Sequence, residues 1–174
     1  MLHACSAEAG CIRIGERVMR RRDRKMRNKE TILAILEQAQ VGRMATINQK
    51  GFPVIKPVNF LYWGGKIYLH SSMKGEKISD LRRGSPVCFE VDEPIAYVAA
   101  MGPPCRSSYY YRSLIVKGHA AIVSQPDRKS KILERLMEKY QPEGGYEEVT
   151  EEILKRMAVI EISIREITGK EHLG

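Results

Sequence analysis

Residues 57–84 read PVNFLYWGGKIYLHSSMKGEKISDLRRG and contain the strongest structural signals of the chain. Two runs rich in aromatic and β-branched side chains, 59–63 and 66–70, flank a Gly-Gly pair, which supplies the positive φ angles of a two-residue hairpin turn. After the second run the apolar residues fall at helical spacing, and Gly84 stands where the helix should end. The sequence therefore predicts a hairpin that leads through a short polar loop into a helix.

The loop between this strand and this helix has the composition of an anion-binding site. Ser71, Ser72, Lys74 and Lys77 bring two hydroxyls and two ammonium groups to the predicted helix N-terminus, where backbone N–H groups are unpaired and the macrodipole is positive. This pattern is typical of a site for a phosphate monoester. It also occurs in solvated strand-to-helix loops, and a single histidine at a strand end, as His70 is, is more often a hydrogen-bonded structural residue than a ligand contact.

Length and composition predict one globular domain, because 174 residues with 43% hydrophobic and 29% charged residues suffice for a sizeable core. No apolar run reaches the roughly 20 residues of a membrane span, and the N-terminus lacks the apolar block of a signal peptide. We therefore expect a soluble, cytoplasmic protein. The cysteines lack zinc-ligand spacing, so we expect free thiols and no metal site at Cys5, Cys11, Cys88 and Cys105.

Most of the net charge of +8 lies near the N-terminus. Residues 1–29 hold nine Lys or Arg and three acids, a net of +6, and the densest run is MRRRDRKMR at 19–27. We interpret residues 1–27 as a flexible basic extension and residues 28–174 as a single domain. A tail that binds nucleic acid or an acidic partner is the alternative interpretation.

The rest of the chain alternates short strands with a few helices. The predicted strands are 41–47, 52–60, 87–92, 95–101, 109–123 with a bend at Gly118, and 159–167, and helices begin near Asn28, Pro126 and Thr150. Pro53 and Pro57 cannot donate to a ladder, so their strand should lie at a sheet edge or be interrupted. Six or seven strands with hairpin-length connections predict a mainly β fold, a small antiparallel β-barrel with peripheral helices.

Five segments, in this order, resemble the FMN-binding split β-barrel superfamily. They are VGRMAT (41–46), GFPVIKPVNF (51–60), GGKIYLHSSMKGEKI (64–78), YRSLIVKGHA (111–120) and IEISIREITGK (160–170). The chain is most similar to the pyridoxamine 5'-phosphate oxidase-like group that includes the nitroimidazole-resistance (Nim) proteins. This resemblance covers residues 19–170 and implies a homodimer with two FMN sites at the subunit interface.

The resemblance also implies a role for each candidate residue. Lys77 and Ser71 or Ser72 would hold the FMN phosphate, with Lys74 in the same loop, and His70 would lie near the ring or the ribityl chain as the candidate proton donor. The segment along the isoalloxazine edge would be Lys56, Pro57, Val58 and Asn59. Arg112 and Ser113 would come from the opposing subunit.

The function implied is that of an FMN-dependent oxidoreductase, which passes electrons from a reduced donor to a small molecule such as a nitroaromatic. Lys56 and Arg112 would favour the reduced, anionic flavin. The segment 168–174, TGKEHLG, lacks the arginine with which pyridoxamine phosphate oxidases grip their substrate, which weighs against that particular oxidation. The alternatives are a flavin-binding module or sensor without turnover, another planar ligand such as haem, and a nucleic-acid-binding protein that uses the basic arm; nucleic acid is the less expected partner.

Overall fold

The computed structural model describes residues 20–174, so Cys5, Cys11 and most of the predicted extension lie outside the described residues. Seven strands form one antiparallel sheet in the order β2-β1-β5-β6-β7-β4-β3. The strands are β1 (Gly42–Ile47), β2 (Pro53–Val58), β3 (Leu61–Trp63), β4 (Lys66–Ser72), β5 (Pro86–Val98), β6 (Ser108–Ile122) and β7 (Met157–His172). The helices are α1 (Lys29–Gln38), α2 (Glu76–Arg82), α3 (Pro126–Tyr140) and α4 (Glu151–Arg156).

The predicted hairpin and the helix that follows it are confirmed. Gly64 and Gly65 have φ angles of 57° and 76°, and they join β3 to β4. Gly84 follows α2 with a φ of 78°, and its N–H donates to the Leu81 carbonyl at 3.0 Å. The backbone at these three positions lies in the left-handed region, which is unfavourable for a residue with a Cβ atom. Glycine has no Cβ and therefore occupies them.

The predicted edge strand is also confirmed. Within residues 20–174, β2 pairs with β1 alone and forms one edge of the sheet. Because no strand lies on the other side of β2, the N–H groups that Pro53 and Pro57 lack are not needed to pair with a second neighbour. The bend predicted at Gly118 appears as a register shift between β6 and β7. A Cβ at Gly118 would lie 2.2 Å from the Ser163 carbonyl oxygen, so only glycine permits this close approach.

Two strands extend further than predicted. β5 is continuous across 86–98, where two strands were expected, because Pro94 is accommodated by a register shift against β6 at Pro94–Ala96. β7 continues to His172 rather than ending at Ile167, because its last residues pair with the beginning of β6. Both differences arise from pairing between segments that are distant in sequence.

The core lies in two clusters on opposite sides of β4 and β7. The larger one packs Ile32 and Leu36 of α1 against the sheet, where the rings of Phe60 and Phe89 meet edge to face at 4.9 Å between centroids. The smaller one packs the apolar stripe of α3 against residues that include Tyr68. The first half of β4, residues Ile67 to Leu69, is therefore packed on both of its faces.

Lys25 and Met26, which the sequence assigns to the basic extension, pack against the domain in the structure. Met26 is 2% exposed and belongs to the larger core cluster, and its N–H donates to the Gly169 carbonyl at 3.0 Å. Lys25 forms a β-bridge with Lys170. Because Met26 can bury its apolar side chain, the chain is docked before α1 begins. Among residues 20–174, no helix has the length and apolar character needed to span a membrane.

Candidate functional site

The predicted anion loop lies where β4 ends and α2 begins. Lys77 and Ser71 are partly buried there, whereas Ser72 and Lys74 are exposed. The loop is closed by a hydrogen bond from the Lys74 N–H to Ser72 Oγ at 3.3 Å. Among residues 20–174 no side chain caps α2 at Gly75, so its first-turn N–H groups have no side-chain acceptor there. Donors and positive charge thus converge at this junction.

The position of α2 is determined by a buried carboxylate on its inner face. Asp80 is 1% exposed, and it accepts hydrogen bonds from Thr46 Oγ1 at 2.7 Å and from Arg83 at 2.6 Å. Ile78 and Leu81 pack into the larger core cluster beside it. A buried carboxylate satisfied by two donors restricts the helix to one orientation. The loop before α2 is therefore held in a defined position relative to β1.

Lys56 of β2 reaches the same junction from the sheet edge. Its Nζ lies 3.2 Å from Glu76 Oε2, and the other oxygen of Glu76 accepts from Asn48 Nδ2 at 3.3 Å. Burial lowers the pKa of Lys77, and the charge of Lys56 lowers it further. The two ammonium groups thus lie close enough to repel each other, and Glu76 forms its ion pair with Lys56.

His70 lies at the end of β4, next to these charges. Its ring is exposed on one side, but the surrounding protein atoms partly desolvate it and lower its pKa, and the charge of Lys77 lowers that pKa further. Both effects favour the neutral form of the imidazole. A neutral imidazole can donate one hydrogen bond and accept another, so His70 is suited to hold or exchange a proton.

The end of β4 also forms one wall of an open cleft of about 470 Å³. The cleft is lined by His70, Ser71, Ser72, Ile153, Arg156 and Met157. α4 and β7 reach it because Ser72 pairs with Met157 in the β4–β7 ladder. Arg156 was not among the predicted site residues. The sequence carries no local signal for it, since only the pairing of two strands 85 positions apart brings it here.

Pro57 and Val58 are the last residues of the edge strand β2, and Asn59 begins the connection to β3. Pro57 and Asn59 are exposed, whereas Val58 packs partly against the larger core cluster. The Lys56–Glu76 ion pair brings Lys56 to the anion loop, and His70 lies in β4 immediately before that loop.

Arg112 and Ser113 lie elsewhere in the same chain. Ser113 pairs with Lys170 near the C-terminal end of β7, whereas His70 pairs with Val159 near its beginning. Eleven residues of strand separate these positions, roughly 35 Å along β7. The guanidinium of Arg112 lies 4.0 Å from Glu93 and 3.5 Å from Glu171. The two residues therefore do not join the His70 site within one protomer.

Solved structures with the same architecture define the class of fold. The flavocytochrome Anf3 from Azotobacter vinelandii superposes with a TM-score of 0.82 at 23% identity, over 94% of this chain and 77% of that one. The FAD and heme binding protein from Mycobacterium smegmatis gives 0.79 at 21% identity, over 87% and 74%. A candidate 5-nitroimidazole antibiotic resistance protein from Bacteroides thetaiotaomicron gives 0.74 at 24% identity, over 84% and 85%. At these identities the likeness establishes the fold alone, an antiparallel split β-barrel.

The sequence itself identifies the family. The profile of the pyridoxamine 5'-phosphate oxidase family matches residues 28–171. The chain therefore belongs to this family, as its five sequence segments predicted. A search of curated protein sequences found no match.

Proposed function

We propose that this protein binds FMN, with the flavin phosphate at the junction of β4 and α2. The observation that carries the proposal is the convergence of Lys56, Lys77 and an uncapped helix N-terminus beside His70. Like charges brought together are unfavourable, and a bound dianion would relieve their repulsion. The donor set, with ammonium groups, hydroxyls and backbone N–H groups, fits a phosphate monoester.

The names of structural neighbours support a flavin. The Mycobacterium smegmatis protein binds FAD and heme, and the Azotobacter vinelandii protein is a flavocytochrome. A third neighbour, from Mesorhizobium loti, is an FAD-binding protein. We favour FMN because the described residues assemble one cationic cluster around α2, which suits a single terminal phosphate. FAD and haem remain the ligands against which FMN should be compared.

We further propose that the protein is an oxidoreductase acting on a small molecule. A bound flavin supplies the electron transfer, so the chain must bind and orient the flavin and the substrate, and it must supply or accept protons. Lys77 and the first turn of α2 hold the phosphate, Lys56 lies at the sheet edge beside them, and the segment Pro57–Asn59 follows the flavin edge. In this proposal His70, which lines the cleft, donates or accepts the proton. An acceptor of the nitroaromatic class fits the Bacteroides thetaiotaomicron neighbour.

A flavin-binding module without turnover is the second candidate function. It is favoured by the small number of reactive side chains, since His70 is the sole titratable group in the described cleft apart from Arg156. Steady-state oxidation of NADH or NADPH by the flavin-loaded protein, with a nitroaromatic acceptor, distinguishes the two functions. Turnover supports the oxidoreductase, and binding without turnover supports the module.

Titration of the wild-type protein with FMN and with riboflavin tests the cofactor proposal. The two flavins differ only in the phosphate, so their affinity ratio reports directly on the anion site. We expect FMN to bind at least about tenfold more tightly, which corresponds to one charge-assisted hydrogen bond. Equal affinities, or a preference for FAD or haem over both, would contradict the assignment of the phosphate to the β4–α2 junction.

A further inference from the structure

The cleft between β4 and α4 contains a cation that the proposed phosphate site does not use. α4 ends at Arg156, and the pairing of Ser72 with Met157 holds the start of β7 beside the end of β4. The Arg156 side chain therefore lines one wall of the cleft, and His70, Ser71 and Ser72 line the other. Both walls are held by the sheet, because one is the end of β4 and the other is α4, which runs directly into β7.

Arg156 differs from its neighbour Lys155 in its partners. Lys155 lies 3.4 Å from Glu151 on the same helix, whereas Arg156 makes no ion pair within residues 20–174. Both side chains are exposed and both are in the last turn of α4. An unpaired guanidinium that faces hydroxyl groups and an imidazole presents several donors to whatever enters the cleft.

The remaining surface of the cleft is apolar. Ile153 precedes Arg156 by one helical turn, and Met157 follows it. A guanidinium flanked by hydroxyl groups and apolar side chains suits a molecule with one acidic group on an apolar body. A planar fork of donors can hold a carboxylate or a phosphate through two parallel hydrogen bonds.

We propose that Arg156 is the anion-binding residue of this cleft, and that it binds a single carboxylate or phosphate group carried by an apolar or aromatic molecule. The inference rests on the proposed function, because His70, Ser71 and Ser72 belong to both sites. The acidic group has two possible sources with the same chemistry, the substrate or the flavin phosphate itself. The substrate is the expected source, because Lys77 and α2 already supply donors to the flavin phosphate.

Two matched pairs of ligands separate these sources. FMN and riboflavin differ by the phosphate, and 4-nitrobenzoate and 4-nitrobenzamide differ by the negative charge of the carboxylate. Each ligand is titrated calorimetrically into the wild type, Arg156→Gln, Arg156→Lys and the control Lys155→Gln. The control removes the same charge from the same helical turn. The nitrobenzoate pair is measured on the flavin-free and on the flavin-loaded protein.

We expect the wild type to bind 4-nitrobenzoate about tenfold more tightly than 4-nitrobenzamide, and Arg156→Gln to lose this preference. Lys155→Gln should keep it, and Arg156→Lys should keep part of it because the charge remains. Loss of the FMN preference instead, in Arg156→Gln alone, would also support an anion-binding Arg156 and identify the flavin phosphate as its ligand.

Two outcomes overturn the inference: a wild type with no preference for either charged ligand, or an Arg156→Gln protein that keeps both preferences. The proposed function fails separately, if the wild type binds neither FMN nor riboflavin. The carboxylate preference of the flavin-free protein is then still measured, so the two failures are distinguishable.

Discussion

Lys56 and Lys77 bring two positive charges together at the β4–α2 junction, and of the two only Lys56 has a carboxylate partner within residues 20–174. The lowered pKa of Lys77 reflects burial and then the charge of Lys56. Holding a cation in such a place reduces the stability of the ligand-free protein, because the charged form is poorly solvated and repelled. Such an arrangement is expected where the charge interacts with a ligand.

Replacing Lys77 should therefore affect FMN and riboflavin differently. We expect Lys77→Ala to weaken FMN binding by roughly 1.5 to 3 kcal/mol, the value of a hydrogen bond to a charged group, and to leave riboflavin binding unchanged. Flavin fluorescence titrations of both proteins measure the effect, with Lys155→Ala as a control of equal charge. Equal weakening of both flavins would show that Lys77 supports the fold rather than the phosphate.

His70 should make the stability of the flavin-free protein depend on pH. Its folded pKa is below the unfolded value near 6.5, because of desolvation and then the charge of Lys77. As the pH falls below 6.5 the unfolded chain takes up the proton first, so the free energy of unfolding decreases until the folded pKa is reached.

Urea denaturation of the wild type and His70→Gln at pH 7.5 and pH 5.5 tests this dependence. We expect the wild type to lose more stability than His70→Gln over this interval. A stability difference that stays the same at both pH values would mean that the folded and unfolded pKa values of His70 are equal.

The residue-level predictions from sequence rest on local signals. The hydroxyls and lysines of the loop 71–77 stand out because a strand, a loop and a helix start follow one another directly. Arg156 was missed because its proximity to Ser72 depends on β4–β7 pairing. A short stretch of sequence contains the signals for a strand, a loop and a helix start, but it does not contain the pairing of two distant strands.

Among the elements, the segment before α1 shows how a charged run can conceal a core residue. Met26 stands between Lys25 and Arg27, so composition alone favours a solvated arm. In the fold it fills the space that Gly169 leaves open, since a Cβ there would lie 2.9 Å from Met26 Cβ. The sequence could not reveal this fit, because Gly169 lies at the other end of the chain and pairs with Leu114 of β6.

Shortening Met26 should destabilise the protein. We expect Met26→Ala to lower the free energy of unfolding by roughly 2 to 5 kcal/mol, as for other buried methionines. Met101→Ala is the matched control, because Met101 is 86% exposed and the same change there should have little effect. Chemical denaturation measures both variants, and equal stabilities would mean that the segment before α1 is not docked in solution.

The last turn of α3 adds polar contacts to the packing of its apolar stripe. Lys139 Nζ donates to the carbonyls of Ala39 at 2.7 Å and Phe60 at 3.0 Å, and it lies 4.3 Å from the Phe60 ring centroid. Tyr140 donates to the Gln40 carbonyl at 2.6 Å. These contacts join α3 to the end of α1 and to the segment before β3.

The stability contributed by this attachment should rise with pH. Burial lowers the pKa of Lys139 to about 8, below its value of 10.5 in the unfolded chain. Between these two values the unfolded chain binds more protons, so the free energy of unfolding increases with pH. We expect the stability difference between the wild type and Lys139→Met to grow by at most about 2 kcal/mol from pH 7.5 to pH 9.5. Guanidinium denaturation checks this, and a constant difference would contradict it.

At the scale of the whole molecule, the distance between the candidate site residues within one chain leads us to consider a dimer. Arg112 and Ser113 are separated from His70 by most of the length of β7 within one chain. The strand ends near them expose apolar and aromatic side chains, among them Ile95, Tyr97 and Tyr109. We propose a homodimer that buries these strand faces, in which Arg112 and Ser113 of one protomer complete the flavin site of the other. Sedimentation at micromolar concentration should then give twice the chain mass of 19.8 kDa.

Mixing two defective variants provides a sharp test of this arrangement. If each site uses Lys77 of one protomer and Arg112 of its partner, Lys77→Ala and Arg112→Ala homodimers should both bind FMN weakly. A mixed dimer contains one site in which both residues are altered and one in which both are intact. After unfolding and refolding at equal concentrations, about a quarter of all sites should regain wild-type FMN affinity, because half of the dimers are mixed. No recovery on mixing, while each variant still sediments as a dimer, would mean that the two residues do not act together across the interface.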